Sequence, residues 1–181
     1  MAKRKGGLGR GLDWIFSQDP GPTYHPILSP IQFKQKAAEG GVSMDPRTGE
    51  TVDTNDPSQD THFVGGAPSA SGEPIQTRSF DPDGTLLSVA KLRREIKQAG
   101  RPNVNIGGWV NQGTGITELD ASDSIPDADE AMETLKSRPQ EEAMFSTKKF
   151  RESGEDFDGD IKNPNFDPKV KAKLKNPNKS N

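Results

Sequence analysis

Asp156, Asp158, Asp160 and Asp167 stand at the first, third, fifth and twelfth places of one window. Carboxylates at those places are what a looped chain uses to wrap a hard cation such as calcium. The sixth place needs glycine for a sharp turn, and here it is Ile161. Pro164 stands at the ninth. The expectation is therefore a solvated acidic stretch without a metal. His25 and His62 are the only histidines, both in a proline-rich stretch, and there is no cysteine, so a zinc site is not expected. They read as solvated linker histidines. Gly7, Gly9 and Gly11 mimic a phosphate loop, but residues 1–6 cannot supply the strand that must precede one. No nucleophile, base and metal converge. The chain reads as non-enzymatic, with no cofactor and no small-molecule substrate.

Elements able to position such groups are confined to one region. Leu, Ile, Val and Phe together make up about 18% of the 181 residues, below the ~20% at which disorder becomes the default reading. Glycine (19) and proline (15) together exceed the usual share. A net charge of −3 is too small for self-repulsion to hold the chain open. What is short is apolar side chain to offset the entropy of ordering the backbone.

Residues 80–146 carry the exception. Leu86, Val89, Leu92, Ile96 and Ala99 recur at helical spacing, and Gly100 with Pro102 stops the helix. Val104 to Val110 alternates as a strand, residues 111–115 turn, and Ile116 to Ala121 reads as the returning strand. Asp127 with Glu130 opens a second helix, whose apolar face is Ala128, Ala131, Met132 and Leu135 and which Pro139 ends. Ala143 to Phe145 is a third strand. The expected fold class is α+β: one small helix-hairpin-helix-strand module between long, irregular or disordered arms. Residues 1–16 form a basic amphipathic docking segment, 17–79 a Pro/Gly-rich extended linker and 147–181 a charged extended tail.

The docking segment places Leu8, Leu12, Ile15 and Phe16 on one helix face behind Lys3, Arg4, Lys5 and Arg10. Such an end docks on a protein partner. Trp109 alternates away from Val104, Ile106 and Val110, so it is either an interface anchor or a cap on the small core. The C-terminal lysines, with no aromatic between them, make nucleic acid a second and weaker partner than protein. No run of 18 apolar residues marks a membrane span. The basic end lacks the apolar stretch of a secretory signal, and the lack of cysteine suits a reducing compartment.

Two resemblances bear on function. Lys5-Gly6-Gly7-Leu8-Gly9-Arg10-Gly11-Leu12-Asp13 resembles the N-terminal peptide with which the ParB partition family docks on a ParA-type ATPase. That resemblance implies Arg10 as the residue stimulating hydrolysis, with Leu8 and Leu12 in contact. The rest of the chain departs from that family. Gly107-Gly108-Trp109, Leu119-Asp120-Ala121-Ser122, Asp129-Glu130-Ala131 and Gln140 to Phe145 resemble a small module carried by bacteriophage genomes, which implies viral origin and no mechanism. The reading is a phage-encoded, non-enzymatic structural protein, virion-associated or an assembly accessory. Its extended arms bind other proteins, virion proteins among them, and it resides in the virion or host cytoplasm. The alternative is an adaptor recruiting a ParA-type ATPase.

Overall fold

A computed structural model describes residues 30–39, 41–75, 78–80, 85–110, 113, 115–154 and 158–175. In chain order the elements are α1 (Pro30–Ala38), β1 (Val42–Met44), β2 (His62–Val64), β3 (Arg78–Phe80), α2 (Thr85–Ala99), β4 (Val104–Val110), β5 (Thr117–Ile125), α3 (Ala128–Lys136), β6 (Ala143–Ser146), α4 (Thr147–Glu152), β7 (Asp160–Lys162) and α5 (Pro168–Lys175). The class is α+β. All the strands join one antiparallel sheet in the order β1-β4-β5-β2-β6-β7, and β3 also pairs with β5.

The β4–β5 hairpin is the spine. Its register runs from Val104 opposite Asp123 to Val110 opposite Thr117. The other edge of β5 is shared: β3 pairs with its first half and β2 with its last residues. Period-two alternation gives the spine one apolar face. Val104, Ile106, Leu119 and Ala121 meet Leu92 and Ile96 of α2 there, with Met44 and Ile75. A second cluster joins Val64, Ile125 and Met144 to Ala131 and Leu135 of α3. Leu92 and Leu135 have no exposed surface, and burying each contributes roughly 1.5–3 kcal/mol. Gly100 ends α2 at φ 66°, a left-handed conformation natural to glycine. The Asp127 carboxylate accepts from the Glu130 amide at 2.8 Å and opens α3.

The module of residues 80–146 is not a bounded unit. The stretch read as linker supplies α1, β1 and β2, and β1 lies against β4 with Val42 opposite Gly108. The stretch read as tail supplies α4, β7 and α5. β6 joins the same sheet, with β2 between it and β5. These additions escape the sequence because β1, β2 and β7 have three residues each. Alternation becomes readable only over about 4–8 residues. Their partners are also remote in sequence.

Candidate functional site

β5 carries two aspartates that its pleat sends to opposite faces. Asp123 lies on the helix-covered face. Arg138, in the loop after α3, forms an ion pair with one of its carboxylate oxygens, and Arg101 donates to the other at 2.6 Å. Arg138 also donates to the carbonyls of Val64 at 2.9 Å and Gly65 at 2.6 Å. Each of these bonds to a charged group contributes about 1.5–3 kcal/mol. Together they tie α3's exit loop to β2.

Asp120 faces the other way, beside a floor of glycine. Gly107 is its cross-strand partner, and a Cβ at Gly107 would lie 2.3 Å from Asp120 Oδ1. Just beyond β2, Gly65 lies beside the same carboxylate and Gly66 beside that of Glu141. A Cβ at Gly65 would lie 3.1 Å from Asp120 Oδ2 and 2.7 Å from Glu141 Oε2. One at Gly66, whose φ is 66°, would lie 2.7 Å from Glu141 Oε1. The three glycines thus let two carboxyl groups approach backbone where any side chain would displace them.

Asp120 is partly buried. Ser122 Oγ donates to it at 2.8 Å. Burial pushes the Asp120 carboxyl above its ordinary value, and the Ser122 bond only partly counters this. Glu141 is pushed up by burial and by the charge of Asp120, against the pull of Lys171 and Arg138. Two such carboxyls favour holding a proton, the property a general acid–base pair needs. Asn163 positions both regions: its side-chain nitrogen lies 2.9 Å from the Leu135 carbonyl, 3.0 Å from that of Arg138 and 2.9 Å from that of Glu141. It comes from Lys162-Asn163-Pro164-Asn165, inside the stretch read as tail.

No protein-family model, curated protein or solved structure matches the chain.

Two surface grooves flank the end of α2. One, of about 370 Å³, is lined by Arg101, Pro102, Asp123, Ser124, Glu130 and Thr134 among others. The other, of about 310 Å³, includes Pro46, Arg47, Arg93, Ile96, Lys97 and Arg101. Neither is lined by Asp120 or Glu141.

The residues singled out by sequence are dispersed. Leu8, Arg10, Leu12, Ile15, Phe16, His25 and Asp156 lie outside the described residues. His62 is not in a solvated linker: it is half-buried on β2, with Nδ1 hydrogen-bonded to the Ile125 carbonyl at 3.1 Å. Asp158 is taken by Lys149 Nζ at 2.7 Å, and Asp167 accepts from the Lys169 amide at 2.8 Å, at the start of α5. Gly159 leaves room for the Phe145 ring, which a Cβ there would meet at 2.3 Å. Among the described residues no three carboxylate or imidazole groups gather as a metal site. Trp109 is 38% exposed, and Ile116 at the same end of the hairpin is 43% exposed. They are the exposed large apolar side chains among the described residues.

Sequence reasoning missed Asp120, Asp123, Arg138 and Glu141. A signal was present in the doublets Gly65-Gly66 and Gly107-Gly108. Glycine within a strand marks a bulge or a close approach to backbone.

Proposed function

We propose that this chain is a non-enzymatic, phage-encoded binding protein, a virion component or assembly accessory, whose sheet presents the turn end of the β4–β5 hairpin to a protein partner. The observation that carries the reading is the pairing of Trp109 and Ile116. Both are exposed, at the end of a hairpin whose other apolar residues are largely buried. Tryptophan in such a position is the commonest kind of binding anchor. By strand alternation Trp109 faces away from α2, beside Asn105 and Gly107.

The test is incorporation into particles. The protein should sediment with purified phage particles in fixed copy number. Trp109→Ala with Ile116→Ala should lower that number about tenfold or more, the factor corresponding to ~1.4 kcal/mol, while leaving the melting temperature unchanged. Absence from particles, or an undiminished copy number in the variant, would overturn the reading.

A further inference from the structure

The groove at the end of α2 has a composition unlike that of the chain. The protein is net acidic, yet four of the residues lining this groove are cationic: Arg47, Arg93, Lys97 and Arg101. No carboxylate lines it. Lys91 and Arg94 are exposed on the same helix, with Glu95 as its acid in this stretch. The cations come from three parts of the chain: the turn after β1, helix α2 and the segment leading to β4.

Their guanidinium groups are held in place. Arg47 is fastened to Asp45 at 2.7 Å and still has 61% of its side chain exposed. Arg93 Nε donates to the Pro46 carbonyl at 2.7 Å, which pins the turn against α2. Arg101 reaches Asp123 and keeps 39% of its side chain exposed. The partial negative charge at the end of α2 opposes an anion here, and Lys97 in its last turn offsets it. Pro46 and Ile96 make the floor, so the cations stand at the rim of an apolar trough. The exposed edges of these arginines and the Lys97 ammonium leave donors that suit phosphate oxygens.

We infer that this groove binds the phosphodiester backbone of double-stranded nucleic acid, independently of sequence. The occupant follows from charge and from the kind of side chain present. The lining contains no aromatic ring, so it lacks the stacking platform on which single-strand binders rely. What remains is a set of fixed cations, which suits the regularly spaced phosphates of a duplex. The surface is distinct from the Trp109 end of the hairpin: α2 packs on one face of the sheet and Trp109 points from the other. The inference therefore stands or falls separately from the proposed function.

The experiment is fluorescence anisotropy with the full chain and labelled duplex and single-stranded oligonucleotides, titrated across a salt series. The duplex should bind more tightly than the single strand, and log K should fall linearly with log salt. Arg47→Ala with Lys97→Ala should weaken duplex binding about tenfold or more. It should also reduce the magnitude of the salt slope by about 0.9 for each cation removed. Arg47→Lys with Lys97→Arg should retain the slope, which separates lost charge from lost fold. Lys169→Ala, Lys171→Ala and Lys173→Ala together control for the lysine-rich end and should leave most of the affinity. The inference is overturned if the duplex does not bind, or if the single strand binds more tightly. It is also overturned if the lysine control loses the affinity while the groove variant keeps it, or if polyglutamate displaces the duplex at equal charge.

Discussion

Asp120 and Asp123 lie three residues apart on β5, on opposite faces, and the molecule deals with their charges in different ways. Asp123 is met by two guanidinium groups, one of which also satisfies the carbonyls of Val64 and Gly65. Asp120 is met by a hydroxyl and by glycine backbone, with a second carboxyl, Glu141, nearby. Burial of charge is tolerable where counter-charge and hydrogen bonds are complete. Where they are not, the group holds its proton instead. The loop after α3 serves both aspartates, sending Arg138 to the first site and Glu141 to the second.

Removing the cation from the first site should have the largest effect. Arg138→Ala leaves Asp123 buried with only the half-exposed Arg101, and strips the carbonyls of Val64 and Gly65 of their donor. A loss of about 3–5 kcal/mol is expected, read by urea denaturation. A loss as small as that of a surface substitution would mean that Asp123 does not depend on the pair.

Crowding the second site should cost less. Gly107→Ala places a methyl group against the Asp120 carboxyl and should destabilise by about 1–3 kcal/mol, the usual cost of overpacking. Because the clash is with one side chain, Gly107→Ala in an Asp120→Ala background should cost far less than in the wild type. Additive losses in that double-mutant cycle would place the strain in the backbone instead.

The smallest effect is the most specific. Asp120 and Glu141 have folded values raised above their ordinary 3.8 and 4.5. Their protons are held more tightly in the folded state than in the unfolded one. The stabilisation they supply is complete below the ordinary values and disappears as pH rises through the folded ones. Asp60 and Asp158 have the opposite sign, held low by Arg151 and Lys149 respectively. Their contribution is present above 3.8 and lost as pH falls. Asp120→Asn should therefore raise stability at pH 8 on the order of 1 kcal/mol, the scale of a buried polar group's mismatch. It should also flatten the decline in stability as pH rises above the ordinary carboxylate range. An unchanged pH dependence in the variant would show that Asp120 contributes nothing to that decline.

The sequence by itself determined the local elements of the centre. Period and capping residues place α2 before Gly100, α3 behind Asp127 and the hairpin between residues 104 and 121, because each depends on neighbours within one turn or one pleat. β5 runs on to Ile125 through Ser122, Asp123 and Ser124. That extension is unreadable locally, since those polar residues belong in a strand only once Asp120, Arg138 and Thr61 meet them. Tertiary structure alone decided the rest. Strands of three residues gain their place by pairing across more than 60 positions, as β1 does with β4. The carboxyl pair exists only because Gly65, Gly107 and the Glu141 loop, distant in sequence, converge on one point. Asn163 joins them by holding that loop. Hydrogen bonds and charge act over a few ångströms of space, whereas a sequence pattern records only neighbours along the chain.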